Sequence, residues 1–169
     1  MYHTNLAPVL AVLVMMLVSF CHGDLDCSSP PPGSCAFYAE CLESKYHCGT
    51  AGYPIGYGQK FCEVFEREAD KFSPSGQEFL WNNMQCLQRS LVAPFIHNNT
   101  LSDCETLKQT ALDSHPSCYI ESGYCDIPAK DKFLLAKIVL KNDITGIFWS
   151  SVKLASDVSK RCISEGRNN

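Results

Sequence analysis

An all-α, disulfide-stapled small helical bundle built on a helical hairpin is the fold this sequence predicts, and three observations carry the prediction. Apolar residues recur at steps of three and four along most of the chain. Ten cysteines are spread between positions 27 and 162. No stretch shows the period-two alternation of a half-buried strand. With 169 residues, 46% of them hydrophobic and 19% charged, the chain has the composition of one globular domain and not of a disordered one.

The first 23 residues stand apart. Residues 6–20 (LAPVLAVLVMMLVSF) form an apolar run followed by small residues, the layout of a secretory signal peptide with its cleavage site. No Lys or Arg precedes the run, so the N-terminal amine supplies the positive start. The run is shorter than the roughly 20 residues a spanning helix needs. The expected division is a signal peptide at 1–23, a folded domain at 24–162 and a flexible tail at 163–169. Cys21 leaves with the signal. Of eleven cysteines, an even ten then remain in an oxidising compartment, which argues for five bridges.

The chain opens on an extended lead-in, since three consecutive prolines at 30–32 disfavour helix in the residues before them. Ser34 can cap a short helix through Ala36, Phe37, Ala39 and Leu42 that carries Cys35 and Cys41. Residues 49–58 hold four glycines and a proline and read as a loop. Phe61, Phe65, Ala69 and Phe72 then form one helical face, with Glu63, Glu66, Arg67 and Glu68 around it. The SPSG break at 73–76 leads to a second helix from about Gln77, with Leu80, Met84, Leu87 and Leu91 on its apolar stripe and Pro94 as its stop. The two read as an antiparallel hairpin.

Ser102 and Glu105 are spaced as a capping box for a third helix, with Cys104, Leu107 and Ala111 on one face and Pro116 as its end. Residues 118–125 read as a hinge around Gly123. Pro128 opens a fourth helix through Phe133, Ala136 and Leu140. Asp143 caps a fifth through Ile147, Phe148, Val152, Ala155 and Cys162.

Several chemistries are disfavoured by what does not assemble. The net charge of −4 lacks the clustered positive charge that nucleic acid requires. The glycines at 49–58 are followed by no phosphate-loop Lys-Ser/Thr, and no Gly-x-Ser-x-Gly or His-Glu-x-x-His occurs. A secreted helical phospholipase would need a His-Asp pair, which is absent. Neither Cys35 with Cys41 nor Cys118 with Cys125 has Cys-x-x-Cys spacing, and His47, His97 and His115 sit in no metal-ligand motif. No cofactor, metal or catalytic residue is expected. His47 beside Cys48 can be written as a Cys-His dyad, but a bridged Cys48 and a loop histidine account for it more simply. Asn98-Asn99-Thr100 is a glycosylation sequon with its acceptor at Asn98. Lys130, Lys137 and Lys141 share a helical face that suits a heparin-like polyanion or, more plainly, solvent.

The spacing of the cysteines carries a resemblance. The stretch CAFYAECLESKYHC and the stretch CEVFEREADKFSPSGQEFLWNNMQC resemble segments of the stanniocalcin family, secreted glycoprotein hormones, over nearly the whole mature chain. Intervals of 23, 13 and 6 residues separate Cys62 from Cys86, Cys104 from Cys118, and Cys118 from Cys125, as in that family. The resemblance implies the pairs Cys27 with Cys41, Cys35 with Cys62, Cys48 with Cys104, Cys86 with Cys118, and Cys125 with Cys162. It also implies a non-enzymatic secreted protein, tied to calcium and phosphate homeostasis and to inhibition of secreted metalloproteinases, that acts by binding a protein receptor or a secreted target. The family's inter-chain cysteine has no counterpart after Cys162 and its usual sequon is replaced by Leu42-Glu43-Ser44-Lys45, so a shortened relative, monomeric or a non-covalent dimer, is expected. A secreted effector or toxin on the same scaffold is the alternative, and a hydrolase with an unassigned site a third.

Overall fold

The computed structural model describes residues 25–97, 103–142, 148–164 (backbone only for 148–152) and 166. Among them every regular element is helical. Five α-helices carry the fold: α1 (Lys60–Glu68), α2 (Pro74–Ser90), α3 (Cys104–Glu121), α4 (Ala129–Asn142) and α5 (Phe148–Ser164). Helix α5 runs through Ser164, so its last turn crosses the boundary expected at 162.

Three further stretches are wound as π-helices, at Phe37–Glu43, Tyr53–Gln59 and Val92–His97. Their i→i+5 pattern sets residues four and five apart on one side. That is the spacing of Phe37, Cys41 and Leu42, all buried. The glycine-rich stretch expected as a loop is thus helical from Tyr53 onward, and its Gly58 has a packing role. A Cβ on Gly58 would strike the Tyr38 ring, so only glycine lets the first two π-helical segments meet there. Pro94 does not end helical structure but lies inside the third such segment.

The hairpin turn is built from Ala69 to Ser73. Ala69–Lys71 tightens into a 3-10 turn, and Phe72 leaves it extended. Ser73 then caps α2, its hydroxyl accepting from the Gly76 N–H at 3.2 Å, with Pro74 in the first turn where a missing N–H costs nothing. Helix α2 therefore starts at Pro74 and not at Gln77. The two arms share an apolar cluster that includes Val64, Phe72, Phe79 and Leu80.

Helix α3 begins one residue later than the capping box suggested. Asp103 is the cap, accepting from the Thr106 N–H at 2.7 Å and the Thr106 hydroxyl at 2.6 Å; Ser102 lies outside the described residues. Pro116 does not end this helix, which continues to Glu121. Proline removes the N–H that would serve the Leu112 carbonyl. The buried His115 compensates: its Nδ1 lies 2.7 Å from the Ala111 carbonyl oxygen, and the ring also interacts with the Leu112 carbonyl. A carbonyl only accepts, so Nδ1 is the protonated nitrogen. The remainder of the 118–125 hinge is a turn at Gly123 and a 3-10 turn at Tyr124–Asp126.

Helix α3 packs against α2 on one side and α5 on the other. Helix α4 is tied to the hairpin at both ends: Asp131 in its first turn bonds Ser73, the N-cap of α2, and Lys60 Nζ at the start of α1 donates to the Asn142 carbonyl at 2.5 Å. Three apolar clusters result. The largest joins the π-helical segments to α2 and α3; the second joins the hairpin to α4; the third surrounds Cys125, Ile120, Val158 and Cys162.

Five disulfides tie these parts: Cys27–Cys41, Cys35–Cys62, Cys48–Cys104, Cys86–Cys118 and Cys125–Cys162. These are the same five pairs that the resemblance implies. Every bridge but Cys27–Cys41 joins residues at least 27 apart in sequence. Those bridges therefore restrict the unfolded chain more than a local staple does.

Candidate functional site

Helix α4 is apolar on more than one side, and the structure selects between two stripes. Asp131, Leu135 and Ile138 face the core, and Leu135 and Ile138 are 5% exposed. The stripe through Phe133, Ala136 and Leu140 is turned outward: Phe133 is 74% and Leu140 55% exposed, and Ala136 is exposed with them. This rotation has a physical cause. Asp131 reaches the N-cap of α2, and one fixed contact in the first turn sets the rotation of the whole helix, because residues at i, i+4 and i+7 share a side.

Beside this exposed stripe runs a groove of about 190 Å³ between α4 and α5. Ala136, Val139 and Leu140 form one wall, Leu154, Ala155 and Val158 the other, over a floor of Tyr57, Tyr119 and Tyr124. Its lower end is fixed by Lys132, whose Nζ donates to the Cys125 carbonyl at 2.9 Å and sits 5.4 Å from the centroid of the Tyr124 ring. Cys125–Cys162 joins that end to α5. Burial pushes the Tyr119 and Tyr124 hydroxyls up from their ordinary pKa, so both are neutral at physiological pH. The groove is accordingly an apolar slot with neutral phenols, suited to binding an apolar side chain.

On the other flank of the stripe stand Lys130, Lys137 and Lys141, all exposed. On a helix of 3.6 residues per turn, Phe133, Ala136 and Leu140 lie between the groove and these lysines. Groove, apolar ridge and basic strip are therefore three adjacent bands of one surface. The sequence shows the basic strip and the spacing of the ridge, but not that the ridge faces outward.

A second space, about 40 Å³, lies inside the bundle. His115, Asn83 and Tyr57 line it, and burial holds the His115 pKa below its ordinary 6.5 against the hydrogen bonds to the Ala111 and Leu112 carbonyls. Asn83 Oδ1 is buried there without a hydrogen-bond partner among the described residues. A neutral histidine among phenols and an amide provides no nucleophile and base pair. The other two histidines among the described residues do not line it: His47 follows the helical turn at Ser44–Tyr46 in a left-handed conformation beside Cys48, which is bridged, and His97 is exposed. Among the described residues no three His, Cys, Asp or Glu side chains are grouped to hold a metal ion.

A polar surface depression surrounds the Cys86–Cys118 bridge, with Arg89, Glu121 and several serines. The sequon at Asn98 lies outside the described residues. No helix among them is long and apolar enough to cross a membrane.

No curated protein matched the chain, and no solved structure matched its fold. The family model of the stanniocalcin family matches residues 28–151. That span takes in the hairpin, α3, α4 and eight of the ten bridged cysteines. With its all-helical fold and five bridges, this chain belongs to the stanniocalcin family.

Proposed function

We propose that the protein is a secreted, non-enzymatic glycoprotein signal of the stanniocalcin hormone type. It acts by binding a protein receptor or a secreted target, with calcium and phosphate homeostasis as the process affected. The observation that carries this reading is the family match over a scaffold whose ten framework cysteines are all spent on structure. Cysteines committed to bridges offer neither thiolate nucleophiles nor metal ligands. Five bridges also suit an oxidising, extracellular setting. In this reading the rigid surface acts, and an N-glycan at Asn98 decorates it.

The test uses the full chain, expressed in eukaryotic secretory cells and purified from the medium. Applied to phosphate-transporting epithelial cells, it should change phosphate uptake or calcium flux saturably, and reduction of the bridges should abolish the effect. Retention inside the producing cells, or no change in either flux over the whole concentration range, would contradict the proposal. Asn98→Gln should remove one glycosidase-sensitive mobility shift.

A further inference from the structure

The geometry points to the exposed face of α4, together with the groove between α4 and α5, as the docking site for an acidic amphipathic helix of a partner protein. One apolar side chain of that helix seats in the groove, and its carboxylates lie against Lys130, Lys137 and Lys141. This rests on the binding role proposed above and names the surface and the chemistry of the partner.

Three observations select this occupant. The first is the extent of the apolar ridge. Phe133, Ala136 and Leu140 span seven residues, about 10 Å of helix. At 74% and 55% exposure, Phe133 and Leu140 are far more open than an apolar side chain needs to be, and they continue into a tyrosine-floored slot. The second is charge. Residues 129–164 hold seven of the fourteen Lys and Arg but only three of the eighteen Asp and Glu, in a protein whose net charge is −4. One of those three acids, Asp131, is buried beneath the surface in question. The bias is thus confined to the C-terminal pair of helices, and it calls for a negatively charged partner.

The third is shape. A sulfated polysaccharide would engage the lysines but leave the ridge and slot unused. An anionic membrane would take the exposed apolar side chains, but a lipid surface does not fill a concave slot between two helices. An amphipathic helix uses all three bands together, with an anchor in the groove, apolar contact along the ridge and carboxylates over the basic strip. The slot is also preformed, because Cys125–Cys162 and the Lys132 contact fix one end of both walls, which lowers the cost of ordering on binding.

The test uses the secreted full chain and fluorescence anisotropy. The probes are a panel of fluorescein-labelled 15-residue amphipathic helices carrying Leu or Phe anchors at every three- and four-residue spacing, with glutamates on the flanks, and matched peptides with Gln for Glu. Phosphatidylserine vesicles and heparin are run beside them. At least one acidic peptide should bind saturably, and its Gln counterpart about tenfold more weakly. Phe133→Ser with Leu140→Ser should weaken binding about tenfold, and Lys137→Glu with Lys141→Glu about as much, with more binding lost as salt rises. All four positions are exposed, and an unchanged circular dichroism spectrum shows that the variants fold. Binding by no peptide overturns the inference, as does peptide binding indifferent to either pair of variants. Heparin or vesicle binding that depends on the lysines while the peptides fail also overturns it. Peptide binding without any flux response in cells would contradict the hormone reading alone; a flux response that survives both variant pairs would contradict the docking surface alone.

Discussion

Asp131 places its carboxylate on Ser73, the N-cap of α2, while only 1% exposed: both oxygens lie 3.3 Å from the Ser73 backbone nitrogen, and the Ser73 hydroxyl donates to one of them. The contact joins residues 58 apart in sequence and sets both the hairpin turn and the rotation of α4. Asp131→Ala leaves a partly buried N–H and hydroxyl of Ser73 without this acceptor and should cost roughly 3 kcal/mol. At about 2 to 4 °C per kcal/mol for a chain of this size, the thermal midpoint should fall by roughly 10 °C with the bridges intact. An unchanged midpoint would show that the contact does not hold the helix.

Gly76 faces the same carboxylate, and a Cβ there would overlap Asp131 Oδ2. Gly76→Ala should therefore destabilise by roughly 1 to 3 kcal/mol, although alanine is the better helix former. Urea titration decides it, since propensity alone predicts a gain of up to about 1 kcal/mol.

The two stripes of α4 make a sharper pair of mutants. Leu135→Ala in the buried stripe should cost roughly 2 to 5 kcal/mol. Leu140→Ala, on the exposed ridge, should stay within about 0.5 kcal/mol of the parent. Equal losses at the two positions would mean that α4 is rotated from the orientation described.

His115 gives a pH dependence with a definite sign. Burial holds its folded pKa below 6.5, so the unfolded chain takes up the proton first. Its contribution to stability is whole above about pH 6.5 and drains as the pH falls toward the folded value. Chemical denaturation midpoints between about pH 7.5 and 5 should decline in the parent and decline less in His115→Gln. A parent profile that rises on acidification would reverse the assignment.

Much of this fold was legible in the sequence because apolar periodicity reports burial directly. Phe61, Ala69 and Phe72 are 4 to 6% exposed, as their spacing requires. The misreadings share a cause: a long-range contact overrode a local rule. Pro116 reads as a stop, yet the His115 side chain serves the carbonyls of that turn. Which stripe of α4 is buried has no local signal, because the helix offers two equally regular ones, and only Asp131 meeting Ser73, 58 residues away, chooses between them. The π-helical winding of Tyr53–Gln59 hides behind glycines whose purpose, at Gly58, is room for the Tyr38 ring. The basic strip of the candidate site was visible from its seven- and four-residue spacing. The groove was not, since its two walls come from helices whose relative placement no local pattern encodes.

Loop length ranks the bridges. Cys48–Cys104 spans 56 residues and Cys27–Cys41 spans 14. The loop-entropy estimate gives about 4 and about 3 kcal/mol for them. Paired serine substitution of Cys48 and Cys104 should therefore cut secreted yield and denaturant midpoint more than the same change at Cys27 and Cys41; the reverse order would contradict the estimate.

Ten cysteines pair off to build one stanniocalcin-type frame. Disulfide mapping by mass spectrometry of the secreted full chain tests it most directly. The expected map joins Cys27 to Cys41, Cys35 to Cys62, Cys48 to Cys104, Cys86 to Cys118 and Cys125 to Cys162, with no free thiol. Cys86 joined to any residue other than Cys118, or an unpaired framework cysteine, would contradict it.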